Sequence, residues 1–421
     1  MNQGLRILVL LLLAFALESV RSGASAEGAP VRLMVVSDIH YLSPACYERS
    51  DGLFLRVLRR GDGKMTQYSR ELLSALLEEV RLRRPDALIV TGDLTFNGEY
   101  LSHQELSASF ASLREEGIPV WVIPGNHDIN IEGTRSFVGD SYERTPGTDP
   151  EDFALLYAAS LGERTGAGAN LSYTVPLRED LQLAMCDAAF YEPETAAAGY
   201  YSPGHQAWLR EVLSGAEKAG IQVITATHQS VIPHTEFLKE SMTVWRGEMM
   251  EEDMKESAVC RLNLSGHLHI QHISEDSGIH DIATGAFSVP PFRFGLLEIG
   301  GNGEIIYEAA CIREELLPEE VNRAARTWFE EIFAEKQQDD LKDLPVSETE
   351  KKSILDLAAR MNHAYFRGDL RTGSVEWTSD PAYPLLREAA GQYGFAAYLI
   401  GQLEAPENRA DMLHLRLPPL P

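Results

Sequence analysis

The sequence predicts a layered α/β protein: an α/β/β/α sandwich followed by a C-terminal helical domain. Three observations carry this. Short apolar runs alternate with amphipathic stretches early in the chain. Short strands with glycine turns crowd the region from Leu262 to Ala309. Helical segments without strands take over after about Glu314. The early alternation of strand and helix means parallel strands joined by crossover helices.

In order, "VRLMVVSD" (Val31 to Asp38) is a short buried strand. In "YSRELLSALLEEVRLRRPD", Tyr68, Leu72, Leu73, Leu76, Leu77 and Val80 recur at helical spacing, and Pro85 stops the helix. "ALIVTGD" (Ala87 to Asp93) is a second strand. A helix over about Ser102 to Glu116 closes at Gly117, and "VWVIPGN" is the third strand. From about Ile129 to Tyr201 the pattern loosens. "RSFVGDSYERTPGTDPEDF" reads as a polar loop entering a helix near Asp152 to Leu161, and the stretch 129–201 as an insertion over a site, since long loops in compact domains are usually functional. "SPGHQAWLREVLSGAEKAG" is a helix and "IQVITATHQ" a strand. "RLNLSGHLHI", "HDIATGAFSV", "FGLLEIG" and "GEIIYEA" suggest a second sheet. The tail holds three helical segments, "PEEVNRAARTWFEEIFAEK", "SETEKKSILDLAARMNHAYFRG" and "PAYPLLREAAGQYGFAAYLIGQL". The division expected is a leader at 1–26, an α/β domain at 27–312 and a helical domain at 313–421.

The formal charge of -26 on 421 residues excludes duplex nucleic acid or an anionic lipid surface as the main partner, because both would be repelled. Arg6, the apolar run "ILVLLLLAFAL" (Ile7 to Leu17) and Ala24-Ser25-Ala26 read as a Sec-type signal peptide, so a secreted or periplasmic protein is expected. The apolar run is short of the roughly 20 residues of a membrane span, and no stable span is expected after cleavage. An uncleaved anchor is the alternative. Cys46, Cys186, Cys260 and Cys311 match no zinc spacing; they could form two disulfides or stay as buried thiols. Composition leaves the oligomeric state open.

The chemistry gathers at strand ends. The first ends in Asp38-Ile39-His40, where an extended backbone would turn the Asp and His to one face. The second ends in Gly92-Asp93, the third in Gly125-Asn126-His127-Asp128, and "IQVITAT" in His228. Gly266-His267-Leu268-His269 repeats the alternation with two imidazoles. Parallel strands place such ends on one sheet edge, where ligands bind. Leaving His127 and Asp128 aside, two carboxylates, one amide and four imidazoles are too many for one zinc. They suit two metals sharing a carboxylate. Nitrogen and oxygen donors without thiolate favour Mn, Fe or Zn over Ca or Mg. Each piece alone could be a turn or a cap.

The ordered set resembles the calcineurin-like metallophosphoesterase superfamily over about residues 31 to 310. The resemblance implies that Asp38, His40 and His269 bind one metal, that Asn126, His228 and His267 bind the other, and that Asp93 bridges them. It implies attack on a phosphoester by a metal-bridging hydroxide, with His127 facing the substrate to protonate the leaving oxygen or to stabilise the transition-state charge. Asp128 is placed to hold the His127 ring in one tautomer and to raise its pKa, making it a better proton donor. "GDLTFNG" has Leu94, Thr95 and Phe96 where purple acid phosphatases carry a tyrosine, so a colourless or weakly coloured protein is expected. With Asp-x-His, this set looks more like class III cyclic-nucleotide phosphodiesterases, although Gln229 stands where some relatives have a second histidine. "MNHAYFRGDL", "EEVNRAARTWFEEIF" and "RSFVGDSYERTPGTDPEDFALLY" are similar to parts of secreted bacterial enzymes of that kind. The expected function is therefore a dinuclear phosphodiesterase acting on a small phosphoester, with cyclic nucleotides the leading substrate. A phosphomonoesterase or nucleotidase is the enzymatic alternative. A non-catalytic, metal-stabilised binding protein is the alternative of another class.

Other residues read blandly. His103 and His205 are expected at the surface, and His234 at the site edge as a candidate substrate contact. His272 and His280 are expected in the second sheet, and His363 and His414 in the helical region. Tyr142 and Tyr157 could stack on a base or simply pack. Phe292-Arg293-Phe294 could offer a cation to a phosphate, with a strand edge the simpler account.

Overall fold

The computed structural model describes residues 28–50, 52–129, 132–162, 170–191, 197–235, 242–405 and 410–417; the expected leader lies outside them. Two six-stranded sheets form the centre. Their strands are β1 (Val31–Val36), β2 (Ala87–Val90), β3 (Val120–Val122), β4 (Tyr173–Arg178), β5 (Leu181–Met185), β6 (Gln222–Ala226), β7 (Cys260–Ser265), β8 (His272–Asp276), β9 (Ile279–Ala283), β10 (Arg293–Ile299), β11 (Glu304–Cys311) and β12 (Met412–Arg416). The first sheet runs β12-β11-β10-β1-β2-β3 and the second β8-β9-β7-β6-β5-β4. In the first, β1, β2 and β3 are parallel. In the second, β5, β6, β7 and β9 are parallel.

The sandwich follows from side chains that alternate along each strand. Leu33, Val35 and Ile89 point into a core shared with Leu183, Ile224, Leu262 and Leu264 of the second sheet. Met34, Val36, Leu88 and Val90 point the other way, against helices α2 (Ser69–Arg83) and α3 (Tyr100–Glu115). Helix α1 (Gly52–Arg60) precedes these, and α4 (Pro150–Leu156) follows, its first turn capped by the Asp149 carboxylate, which accepts from Asp152 N–H. The outer face of the second sheet is covered by α5 (Pro203–Ala219) and α6 (Gly247–Glu256) through Trp208, Leu209, Leu213, Met250 and Met254.

The helical region comprises α7 (Glu319–Ala325), α8 (Trp328–Gln337), α9 (Glu348–Phe366), α10 (Ser374–Ser379), α11 (Tyr383–Ala389) and α12 (Gly394–Glu404). Its own core is built from residues such as Leu357, Met361, Trp377, Leu386 and Leu399. It docks on the turn after α1. Trp328 Nε1 donates to Lys64 O at 3.2 Å, Lys336 Nζ to Gly61 O at 2.9 Å, and Arg59 pairs with Glu335 at 2.6 Å. A side chain at Gly63 would collide with the ring of Phe329.

Two expectations change, and the open question of the cysteines is settled. The stretch 129–201 is not wholly an insertion: β4 and β5 within it pair antiparallel and sit in the second sheet, with Tyr173, Val175, Leu181 and Leu183 in the inter-sheet core. Their alternation is interrupted by Pro176 and the hairpin turn, which hides it in the sequence. The tail is not wholly helical either. It ends in β12, whose His414 pairs with Ile306 of β11 rather than lying in a helix. Cys46, Cys186, Cys260 and Cys311 are free thiols, the first three of them buried.

Candidate metal centre

The strands of both sheets stop short of the expected ligands. Asp38 and His40 lie two and four residues past the end of β1, Asp93 three past β2, and Asn126 four past β3. His228 lies two past β6, and His267 and His269 two and four past β7. The expectation that an extended backbone carries each pair to one face is therefore wrong. Asp38 (φ 55), His40 (φ 45), Asp93 (φ 49), His267 (φ 63) and His269 (φ 58) are all left-handed. That conformation is unfavourable by roughly 1–2 kcal/mol for an L-residue, and such residues cluster at functional sites. It coils each strand end so that alternate side chains converge. The motif glycines have a packing reason as well. A Cβ on Gly92 would collide with the His228 ring, one on Gly125 with Asp93, and one on Gly266 with Ser37 and Asp38.

The side chains meet in two groups. Asp38, His40, Asp93 and His269 place one ligand atom each within 4.8 Å of one another; Asp93, His228 and His267 form the second group on the same criterion. Asp93 belongs to both. Its Oδ2 is 3.5 Å from His40 Nε2 and its Oδ1 is 3.3 Å from His228 Nε2. Asn126 Oδ1 lies 3.1 Å from His228 Nε2, which puts the amide oxygen in the second group. In the first, the Nε2 atoms of His40 and His269 face each other at 3.2 Å, and Asp38 Oδ1 is 3.2 Å from His269.

This donor set fits metal ions. Asp38 Oδ1 and His267 Nε2 are buried without a hydrogen-bond partner, and such atoms are rare unless something else satisfies them. The outward ring nitrogens of His228 and His269 are already committed. His228 Nδ1 donates to Thr91 O at 2.8 Å, and His269 Nδ1 meets Asp62 Oδ2 at 2.6 Å. Anchoring Nδ1 leaves the Nε2 lone pair directed inward, as in a metal-binding histidine whose other ring nitrogen is held by a hydrogen bond. Burial opposes charge on His228, but Asp93 beside it prevails and lifts its pKa to about 9. Burial likewise opposes charge on His269, and Asp62 with Asp38 lifts it to about 10. Burial and the nearby His228 push His267 down to about 3. The buried carboxylates thus demand positive charge at the centre.

The resemblance-based role of Asp128 is corrected. Its carboxylate does not hold His127. It accepts from the backbone N–H groups of Gly125 (2.8 Å), Leu94 (3.0 Å) and Thr95 (2.9 Å), and from the Thr95 hydroxyl (3.0 Å). The turn aims this side chain inward, so it ties the Asp93 loop to the Asn126 loop. Burial, with Asp93 nearby, pushes Asp128 up to about 7. His127 is held instead by the carbonyl of Phe96, 2.7 Å from Nδ1. A carbonyl only accepts, so Nδ1 carries the proton. Nε2 is left free 4.0 Å from Asp93 Oδ2, on a side chain 32% exposed.

His103 and His205 are not surface residues: both are buried. His103 Nε2 lies 3.0 Å from Asp128 O and its Nδ1 3.0 Å from the hydroxyl of Tyr157, which is packed in the core. His205 completes the capping box of α5 with Ser202. His234 is 6% exposed and packs on His272, Nδ1 to Nδ1 at 3.0 Å, so it does not open to the centre. His363 is buried, Nε2 3.2 Å from Pro290 O, and Arg293 pairs with Asp369. Tyr142 is exposed on a hairpin formed by Arg135–Val138 and Ser141–Arg144. Asp62 was missed. A lone acid in "RGDGK" carries no pattern, and only its approach to His269 reveals it.

The two-sheet sandwich and the shared-carboxylate centre define a metal-dependent phosphoesterase. The calcineurin-like phosphoesterase family profile matches residues 31–271, and the chain belongs to that family. It is 25% identical over 246 residues, 57% of this chain and 75% of its relative, to a protein of Synechococcus sp. (strain WH7803) named a probable cyclic nucleotide phosphodiesterase. It is 24% identical over 268 residues, 61% of this chain and 80% of its relative, to a protein of Psychrobacter arcticus with the same name. Among solved structures it is similar to a dimetal phosphatase from Danio rerio, at TM-score 0.50 and 15% identity, covering 67% of this chain and 96% of that one. The chain is a metal-dependent hydrolase of the phosphoesterase class, with a site suited to two ions.

Proposed function

We propose that the protein is a dinuclear phosphodiesterase whose substrates are cyclic nucleotides, loaded with Mn, Fe or Zn. The observation that carries this reading is the sharing of Asp93 between the two ligand groups. The names of the two relatives support the substrate class. Asp38, His40 and His269 would hold one ion, Asn126, His228 and His267 the other, and Asp93 both. Bound there, the ions would supply Lewis-acid polarisation of the phosphoryl oxygens and activation of water. The chain does the rest. Phe96 O fixes the His127 ring so that Nε2 is the atom presented to the leaving oxygen, and it would give a proton there only as the imidazolium, protonated at both nitrogens, which burial disfavours. Asp128 holds the two loops that position Asp93 and Asn126. The N-terminal run from Ile7 to Leu17 and Ala24-Ser25-Ala26 support export through a Sec-type signal. No helix among the described residues is long and apolar enough to cross a membrane.

The test is a substrate panel on Mn²⁺-loaded protein, with 3′,5′-cyclic nucleotides and nucleoside monophosphates side by side. Two metals per chain by elemental analysis and faster turnover of the cyclic diesters are expected. Asp93→Asn should lower the bound metal and cut kcat/KM by at least a thousandfold. Faster monoester turnover would make the enzyme a nucleotidase. Two bound metals with no turnover would make it a binding protein.

A further inference from the structure

The centre is not walled off on the side of His267 and His269. A cavity of about 490 Å³ opens there, between the 267–270 turn and helices α8, α9 and α12. That volume falls within the roughly 300–1,000 Å³ of small-molecule sites. Its outer wall comes from the helical region, beyond the residues matched by the family profile. Aromatic rings dominate it. Phe329 and Phe366 lie 4.8 Å apart, Phe395 and Tyr398 5.5 Å, and Tyr365 and Tyr398 5.5 Å between centroids. Phe366, Phe395 and Tyr398 are only half-buried, so they keep surface open to the cavity.

Asp62, Lys336 and Gln337 also line it, but each is engaged, with His269, the Gly61 carbonyl and the Tyr393 hydroxyl respectively. Asn362 of α9, from the stretch "MNHAYFRGDL", lines the cavity and is 5% exposed. No hydrogen bond of its carboxamide is seen among the described residues, and its polar atoms are not among the fully enclosed ones, so they face the cavity. A carboxamide offers a donor and an acceptor side by side, and both can meet a ligand that enters the cavity. An acyl chain would fill the aromatic space and leave the amide unmet. A planar heteroaromatic ring with a donor and an acceptor on one edge satisfies both features. Its face stacks on aromatic side chains, and its edge takes the paired bonds that an asparagine makes to a base.

We infer that this cavity is the base-binding subsite of a nucleotide phosphoester, the C-terminal helices holding the base on Asn362 and the aromatic rings while the phosphate lies at the metal centre. This rests on the phosphodiesterase reading for the position of the phosphate, but not for the binding of the base.

Two measurements on the metal-loaded full chain test it. The first is the ratio of kcat/KM for 3′,5′-cyclic AMP to that for methyl ribofuranoside 3,5-cyclic phosphate, the same ester without a base. A ratio above tenfold is expected, falling about tenfold in Asn362→Leu and in Phe395→Ala, with two metals per chain retained as the check on folding. The second is calorimetric titration with adenosine, guanosine, cytidine and uridine. One of them should bind, and the same variants should weaken it about tenfold. Binding of a nucleoside without turnover of any cyclic nucleotide would keep the subsite and sink the phosphodiesterase reading. Equal turnover of both cyclic esters with no nucleoside bound would keep the phosphodiesterase and overturn the subsite. Preference for an octyl phosphodiester, improved by Asn362→Leu, would assign the cavity to an acyl chain and overturn the inference.

Discussion

Asp62 shows what a residue can do without a motif. It reaches His269 from a turn more than 200 residues away in sequence, at 2.6 Å, and fixes which ring nitrogen faces the centre. Outer partners of this kind typically contribute 10–100-fold to metal affinity. Asp62→Asn should therefore weaken Mn²⁺ binding by about that factor in a chelator competition, while excess metal restores most of the turnover. The metal-site candidates were legible because each announces itself locally, with a glycine or a second donor beside it. Asp62 was not, because its partner is distant. Asp128 was legible as a site residue but not in its role: adjacency to His127 suggested a contact that the turn prevents. The glycines are as constrained as the donors. Gly125→Ala should retain the fold by circular dichroism yet lose metal stoichiometry, because the added methyl collides with Asp93.

At the scale of elements, the strand ends carry the site and the following loops brace it. Residues Leu94 to Glu99 lie against the Asp128 carboxylate and the His127 ring, then enter α3. Glu99 stands at that entry, fully buried, one oxygen accepting from Asn97 N–H and the other unpartnered. Burial raises its pKa from 4.5 to about 7, with backbone hydrogen bonds opposing. The folded state thus prefers the protonated acid. The stability this group contributes is complete below about pH 4.5 and is lost as the pH rises through 7, an effect of about 3 kcal/mol. Glu99→Gln should flatten the dependence by a similar amount, read from urea melts at pH 4.5 and pH 8. The parallel strands and their crossover helices could be read from period and length alone. The strands β4 and β5 could not, because a proline and a tight turn break their alternation.

For the whole molecule, the helical region and the metal centre are mechanically linked. Phe329 packs where Gly63 leaves room, Trp328 and Lys336 bond the carbonyls on either side, and Asp62 lies between those carbonyls. Phe329→Ala should cost about 3–5 kcal/mol of stability and also loosen the Asp62 turn. A fall in Mn²⁺ affinity in a variant that touches no ligand would show the coupling; unchanged affinity would show that the turn holds itself. The sequence indicates a separate helical domain by its change of composition. It cannot show this docking, which depends on a glycine and a phenylalanine more than 260 residues apart.

The last strand has its own consequence. β11 leaves the first sheet at Cys311, the helices follow, and β12 returns at Met412 to lie beside β11 itself. The whole helical segment is thus a loop whose two feet stand on neighbouring rungs of one ladder. A protease cutting once between those feet would release neither half, and the helices could not swing away as a unit about a single tether.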